Sequence, residues 1–494
     1  MSGPLLSLKN KNWKKELHIH SWTPRPHSVM KRKLMLQYLS ILIAIPLLLG
    51  SCNSLKFGKV KEDSEILLPN SWSVPSKAYS GKVENNWLKS LNDKRVIKIT
   101  EEALKNNYNL KASALLLESA KEGTIIGKSA RFPFINLGGS GSRSLNNEST
   151  EEYNSNYGLT LAASWELDLW GRLKNLDLAS RENLLQAEAD YKAARLSLVA
   201  NTAKSWFNLI AAQQLLDLAE KTKESYVANA RIIERNYKAG DQTASPLAVQ
   251  FARNNVASAE RNLINQKLSR EEAARSLELL LGKYPSGEFG SGNELPTMKK
   301  NVPAGLPSEL LIRRPDLVSA AAEVRASAQR AEASVKDLLP SFSLTGRGSS
   351  SGRKLDQFIL DPETIVWSTA TSLAQTLFRA GSQRASARIA LQQNERSIRQ
   401  FSSAILRALR EVESALATEK SLAEQNKYLY TELRQAELAE KQAMRDYSEG
   451  LINIISVLEA QRRAVASRRA MIFLKNQRLQ NRIDLHLALG GSFN

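Results

Sequence analysis

Few side chains in this sequence could carry out nucleophilic or metal-dependent chemistry. Only one of its four histidines, His486, follows its single cysteine, Cys52, because the others lie upstream: His18, His20 and His27. Zinc sites and Ser-His-Asp triads need several such groups close together. Gly138-Gly-Ser-Gly141 has neither the spacing nor the lysine of a phosphate-binding loop. We therefore expect no enzyme activity, no catalytic residue, no metal and no cofactor, and we expect His486 to be a packing residue in a leucine-rich helix end.

The cysteine lies where protein export would use it. Basic Met30-Lys-Arg-Lys33 precedes an apolar stretch, residues 34–49, that runs into Leu49-Gly-Ser-Cys52. The stretch is shorter than the roughly 20 residues that a membrane-spanning helix needs, so an export signal is favoured. Leu-Gly-Ser-Cys resembles a bacterial lipoprotein processing site, which predicts a removed leader, 1–51, and a lipidated Cys52. Residues 1–29 fit no export pattern, which makes Met30 a candidate start. The alternative is an inert thiol buried in an uncleaved apolar segment.

The charge balance is strongly basic but not concentrated in one tract. The net charge is +19, and the first 51 residues hold eight Lys and Arg side chains against one Glu. That segment therefore carries +7, which leaves +12 on the rest of the chain, spread along its length. A basic balance can indicate nucleic-acid binding, but no recognition motif is present and an exported protein would not normally meet nucleic acid. Solvated helix faces explain the charge better.

Two long segments contain neither glycine nor proline. They are residues 172–239 and 382–449, each 68 residues long, bounded by Gly171 and Gly240 and by Gly381 and Gly450. Segments this long, rich in Ala, Leu, Glu, Gln, Arg and Lys, favour a single helix each. At about 1.5 Å per residue, each helix would be roughly 100 Å long.

The sequence is an internal duplication. The boundary glycines repeat at an offset of 210, and Leu277–Gly282 matches Leu485–Gly490 at an offset of 208. Phe132-Pro133 matches Leu339-Pro340 at an offset of 207. Such ordered repeats indicate one structural plan used twice. The domains expected are an extended lipidated segment, a first repeat, a linker rich in Pro and Gly, and a second repeat: residues 52–95, 96–284, 285–305 and 306–491.

Each repeat is predicted to hold helices and one β-hairpin. Apolar and polar residues alternate strictly from Tyr157 to Leu169, which indicates a strand, and a weaker alternation begins at Ile365. Residues 138–150 and 346–353 are expected to be loops. Helices are predicted over about 96–131 and 316–339, and last helices end at Gly282 and Gly490. In each repeat, the two shorter helices are expected to stack end to end beside the long one.

Four strands in one chain cannot close a membrane barrel, since single-chain barrels have eight or more. An open sheet in lipid would leave unpaired backbone groups. The sequence therefore leaves two possibilities, a sheet outside the membrane or an oligomer that shares one barrel.

Several motifs carry a resemblance to a known family. Ser164-Trp-Glu-Leu-Asp-Leu-Trp-Gly-Arg172 resembles the strand-to-helix signature of TolC-like outer-membrane efflux channels, in the lipoprotein subgroup paired with resistance-nodulation-division pumps. Further segments resemble the second repeat, its helix-to-strand entry and the last helix: Gly305–Leu317, Leu339–Gly346, Val457–Arg462 and Ala488–Gly491. The match spans about residues 87–491. Thr376 stands where the family often has proline.

The resemblance implies a mainly α-helical, duplicated protomer of a homotrimer that shares a twelve-stranded β-barrel and a periplasmic α-helical tunnel. Gly171 and Gly381 would lie at barrel-to-helix junctions. The Gly240 and Gly450 turns would form the periplasmic tip where an adaptor protein docks. Ile455 and Glu459 would line a constriction there, although Glu459 could instead be a surface carboxylate paired with Arg462 or Arg463.

The function implied is a passive outer-membrane conduit of a Gram-negative bacterium. It would export drugs, toxic compounds or metals, together with a periplasmic adaptor and an inner-membrane pump, and it would be held in outer-membrane lipid by its acyl chains. The alternative is a lipid-anchored periplasmic coiled-coil scaffold without a pore.

Overall fold

The computed structural model describes most of the chain beyond residue 68, within one compact unit that spans 59–494. The described residues are 69–73, 86–146, 152–240, 245–292, 294–298, 302–305, 307–354, 363 and 365–491. Cys52, the leader 1–51 and most of the segment 52–95 lie outside them.

Among the described residues, seven longer helices and four strands form two similar series. The first series is α1 Lys94–Asn106, α2 Tyr108–Ser129, β1 Phe134–Asn146, β2 Glu152–Leu167, α3 Arg172–Lys238 and α4 Pro246–Leu280. The second is α5 Pro315–Lys336, β3 Ser341–Gly352, β4 Ile365–Ala374, α6 Ser382–Ser448 and α7 Ile454–Ala488. Single helical turns lie at Trp87–Leu91, Pro307–Glu309 and Leu310–Arg313.

The helices repeat in length as well as in order. The helix before each hairpin (α2, α5) has 22 residues, each long helix (α3, α6) has 67, and each last helix (α4, α7) has 35. The predictions of a duplicated plan and of two very long helices are confirmed. None of the helices among the described residues combines the length and the apolar character needed to cross a membrane.

The shorter helices of each repeat meet end to end beside the long one. Asn107 Nδ2, before α2, donates to the carbonyl of Leu280 at the end of α4, at 3.0 Å. At the corresponding place, Arg314 Nη1, before α5, donates to the carbonyl of Ala488 at the end of α7, also at 3.0 Å. Each bond satisfies a carbonyl that a helix end would otherwise leave unpaired. The predicted stacking is therefore confirmed in both repeats.

The helical segment predicted over about 96–131 is confirmed, but it consists of two helices that are separated at Asn107. That residue has an extended backbone (φ −61°, ψ 124°), and its side chain accepts a hydrogen bond from the backbone N–H of Leu110. Asparagine competes with the helix for backbone partners, which makes it a good N-cap and a poor interior residue. The chain therefore ends α1 at Asn106 and begins α2 at Tyr108.

The four strands form one antiparallel sheet in the order β1-β2-β3-β4. The two predicted hairpins are confirmed, and β2–β3 pairing, with Leu161 opposite Gly348, joins them. The expectation of loops over 138–150 and 346–353 is largely wrong, because β1 runs to Asn146 and β3 to Gly352. Their glycines and serines have weak strand propensity, but paired partners on β2 and β4 hold them in the ladder.

Three apolar clusters hold the helices together along their length. The largest surrounds Trp87, Trp206 and Phe207, where α1, α3, α4 and α7 meet. A second joins residues 302–310 to α6 and α7 around Leu416. The third lies at the end of the bundle that bears the Gly240 and Gly450 turns.

Candidate functional site

The two glycine turns have the same local geometry. Gly240 and Gly450 have φ values of +77° and +75°, in the left-handed region that favours glycine. Each donates its N–H to the carbonyl three residues before it, that of Tyr237 or Tyr447, at 3.1 Å. After Gly450 the side chain of Asn453 caps α7, and the side chain of Ser245 caps α4. Both turns are therefore built as sharp helix ends.

A shared apolar cluster holds the two turns together. It joins Ile233 of α3 and Val249 of α4 to Ile454, Val457 and Leu458 of α7, all buried. Burying an aliphatic side chain of this size contributes roughly 1.5–3 kcal/mol. The helical hairpins of the two repeats are thereby packed against each other near the tip.

A buried hydrogen bond adds to this contact. Asn229 Nδ2 of α3 donates to Gln461 Oε1 of α7 at 2.8 Å, and both residues are buried. Separating the two helices would replace this bond by bonds to water, at a net cost of about 0.5–1.5 kcal/mol. Sequence reasoning did not identify this pair; its only signal was an amide within an alanine-rich stretch of each helix.

Ile455 and Glu459 lie together on a neighbouring, more exposed side of α7. Ile455 is 40% exposed, although Ile454 and Val457 beside it are buried. Glu459 accepts hydrogen bonds from Arg462 and Arg463, at 2.9 Å each. Hydrogen bonds from Arg463 and then from Arg462 hold the pKa of the Glu459 carboxyl below its usual range. Within one chain, Glu459 is therefore a carboxylate paired with Arg462 and Arg463, and it is ionised at neutral pH.

The other end of α3 is a dense polar junction. Gly171, with φ +76°, separates β2 from α3, and Asp168 accepts from the backbone N–H groups of Leu173 and Lys174. Arg172 binds both oxygens of Glu166, at 2.7 and 2.8 Å. The Ser164–Arg172 motif therefore redirects the chain from strand to helix. At the corresponding junction Gly381 has a similar left-handed backbone, with φ +81°, and Leu377 and Phe378 before it are exposed.

His486 is a packing residue, as expected. It is buried and stacks on Trp87 with ring centroids 5.4 Å apart. Burial, with a smaller effect of the Arg482 charge, lowers its pKa to about 3, so the ring is neutral. In the described part of the chain, no group of three or more His, Cys, Asp and Glu residues is arranged to hold a metal ion.

A contact from the N-terminal segment was also missed. Trp72 Nε1 donates to the carbonyl of Gly305 at 3.0 Å, and the Ser73 N–H donates to Glu413 at 2.7 Å. Trp72 and Ser73 are thus fastened to the linker and to α6.

This geometry defines a class of protein: a duplicated chain in which each repeat joins a β-hairpin to the end of a very long helix. The family model for outer membrane efflux proteins matches residues 99–283 and 306–491. The chain therefore belongs to the outer membrane efflux protein family, and it is an efflux channel protein of the outer membrane.

Individual relatives agree with the family. The chain is 29% identical over 433 residues to the cation efflux system protein CusC of Escherichia coli O6:H1, covering 86% of this chain and 93% of that protein. It is 28% identical over 417 residues to the probable outer membrane lipoprotein SilC of Salmonella typhimurium, covering 83% and 88%. A crystal structure of CusC superposes with a TM-score of 0.75 at 28% identity, covering 86% of this chain and 97% of that one.

Proposed function

We propose that three copies of this chain assemble into one conduit. The exposed apolar surface of α2 is the main observation that supports this proposal. This helix buries a single residue, Leu110, and leaves Leu115, Leu116, Ile125 and Ile126 exposed. Its counterpart α5 buries nine residues between α3 and α6. Within one chain, α5 of the second repeat packs against α3 of the first repeat. If the same arrangement is repeated around a ring of copies, α2 of each copy packs against α6 of the next copy in the same way.

The sheet supports the same assembly. Among the described residues, β1 and β4 each pair with one neighbouring strand and have an unpaired outer edge. Unpaired edges are not tolerated in lipid, and pairing β4 of one copy with β1 of the next removes them. Three copies then give a twelve-stranded barrel. The strands, of 10 to 16 residues, are long enough for tilted strands to cross a bilayer.

In this assembly, the long helices continue the barrel as a tunnel of roughly 100 Å across the periplasm. Ile455 and Glu459 of three copies would form an apolar ring and a charged ring at its far end. Opening would separate the hairpins that the Asn229–Gln461 bond and the apolar cluster at the tip hold together. An adaptor that docks on the Gly240 and Gly450 turns would favour the open state by binding it more tightly, and an inner-membrane pump of the resistance-nodulation-division type would supply the energy.

Planar-bilayer recording of the purified protein tests the conduit. We expect a low basal conductance that rises in the double variant Ile455→Ala, Glu459→Ala. A matched control is Ile312→Ala, Glu309→Ala, which alters another exposed isoleucine and another Arg-paired glutamate in the middle of the chain. Absence of any conductance would instead favour the lipid-anchored scaffold. Equal conductance in both variants would contradict the gate.

Cys52 is proposed to carry the lipid anchor, from the Leu49–Cys52 processing pattern. Cys52→Ser should abolish incorporation of labelled palmitate into the protein in cells, because the chain contains no other cysteine. Persistence of the label would contradict the anchor without bearing on the conduit.

A further inference from the structure

Beside the proposed constriction, α3, α4 and α7 enclose a groove of about 570 Å³. Arg261 and Asn262 of α4 line one wall, and Arg462, Arg469 and Phe473 of α7 line the other. The floor from α3 is mostly aliphatic and also includes Thr222 and Tyr226. The volume lies in the range of pockets that bind small organic molecules. No carboxylate is among the lining residues.

The positive charge in this groove is mostly uncompensated. Arg462 shares Glu459 with Arg463. Neither Arg261 nor Arg469 forms an ion pair with any described residue, and Arg469 lies over the Phe473 ring at 5.5 Å from its centroid. An arginine that lacks a carboxylate partner keeps its planar set of donors available for a sulfonate, carboxylate or phosphate group.

A second cavity, of about 600 Å³, lies on the other side of α7 and differs from the groove in the charge of its lining. It also contains an arginine, Arg468, but that side chain binds Glu437 at 3.0 Å and Glu440 at 2.7 Å. Asp217 and Glu294 line the same cavity. Acidic groups therefore offset the basic ones on that side, and an anion would be repelled as well as attracted there.

The groove lies on the same face of α7 as the proposed constriction. Ile455, Glu459, Arg462, Ala466, Arg469 and Phe473 follow one another at intervals of three or four residues, which places them along one side of the helix. If Ile455 and Glu459 face the tunnel, the groove opens into it.

We propose that this groove binds organic anions, molecules in which a sulfonate, carboxylate or phosphate group is joined to an aromatic or apolar body. Arg261 and Arg469 bind the anionic group, and Phe473 with the mostly aliphatic floor contacts the body. The position of the site on an export route rests on the proposed function, but binding itself does not depend on conduction.

Equilibrium dialysis of the purified full-length protein, in a nonionic detergent, with radiolabelled 2-naphthalenesulfonate tests the site. We expect saturable binding that weakens about tenfold in the double variant Arg261→Gln, Arg469→Gln, since each change removes a charge-assisted contact. Arg434→Gln with Arg445→Gln removes the same charge from exposed positions of α6 and should change binding less than about twofold. Arg261→Lys with Arg469→Lys should restore part of the affinity.

Two results would overturn the proposal. One is equal binding by the two glutamine double variants when both retain their helical circular dichroism. The other is equally tight binding of the cation 1-naphthyltrimethylammonium to the unaltered protein. A protein that binds the sulfonate but conducts no current in bilayers would contradict the conduit and leave the groove intact.

Discussion

The helices α2 and α5 occupy the same place in the two repeats but have opposite surroundings. Both have 22 residues, and they align at an offset of 207, so Leu115 corresponds to Ala322. Leu115 is 68% exposed, whereas Ala322 is fully buried. Most of the nine buried residues of α5 are alanine or serine, which allow close approach to α3 and α6. The second repeat's helix is enclosed within its own chain, and the first repeat's helix leaves large apolar side chains exposed at the surface of the chain.

A second corresponding pair differs in chemistry. Glu278 and His486 lie at the same position of α4 and α7, four residues before Gly282 and Gly490, and both are buried. Burial alone would raise the pKa of Glu278, but hydrogen bonds from Gly287, Ser286 and Phe289 hold it below its usual range. Glu278 thus fastens the loop that follows α4, while neutral His486 stacks on Trp87. Duplicated positions have kept their burial and changed their chemistry.

The strongest test of the first comparison is to place arginine at Leu115 or at Ala322, in two separate variants. Ala322→Arg should prevent stable folding, or cost several kcal/mol, because it buries an unpaired charge in a close-packed contact. Leu115→Arg should leave the single chain folded and abolish the trimer. Circular dichroism with size-exclusion chromatography and light scattering distinguishes the two results.

The control for this pair is Ile312→Arg, at an exposed isoleucine outside α2. It should retain both the fold and the trimer. A trimeric Leu115→Arg protein would show that α2 does not face a neighbouring copy.

The second comparison, between buried Glu278 and buried His486, is tested first by changing Glu278. Glu278→Gln should lower the free energy of unfolding by about 2–3 kcal/mol, because it weakens charge-assisted hydrogen bonds at a buried site. Chemical denaturation followed by circular dichroism measures the change. Glu271→Gln alters an exposed glutamate of the same helix, paired with Arg275, and should cost less than about 1 kcal/mol. Equal losses would mean that burial of Glu278 has no energetic role.

The smallest expected effect is the pH response of His486. Its pKa is lowered on folding to about 3, so the unfolded chain binds a proton that the folded chain does not. The stability that depends on neutral His486 is therefore fully present above the ordinary pKa range of histidine, and it is lost as the pH falls through that range. Between pH 7 and pH 5 the unaltered protein should lose about 2 kcal/mol more than His486→Phe does. Parallel pH profiles of the two proteins, measured by thermal unfolding, would contradict this account.

Much of the fold was predictable because the strongest signals are local. Helix breakers at Gly171, Gly240, Gly381 and Gly450 determined the ends of α3 and α6 to within about a residue. The duplication then predicted the other elements, since each landmark in one repeat had a counterpart. The Ser164–Arg172 motif located the strand-to-helix junction, although the strand ends at Leu167 and not at Leu169.

Predictions were weaker where a contact distant in sequence determines the local structure. The glycine- and serine-rich ends of β1 and β3 are strands because neighbouring strands pair with them. Asn107 interrupts a helical pattern because its side chain has partners at Leu110 and Leu280. The Asn229–Gln461 bond joins residues 232 positions apart, and nothing in either segment alone indicates it.

The sequence by itself determined the lengths of the two long helices, the order of the elements and the family to which the chain belongs, because periodicity, breakers and repeated motifs are properties of neighbouring residues. Only the tertiary structure decided which face of each element is covered. It enclosed α5 and left α2 exposed, paired Glu459 with two arginines, and left Arg261 and Arg469 uncompensated in one groove. Burial and charge compensation depend on residues that are distant in sequence and that folding brings together, so these properties follow from the packing of the whole chain.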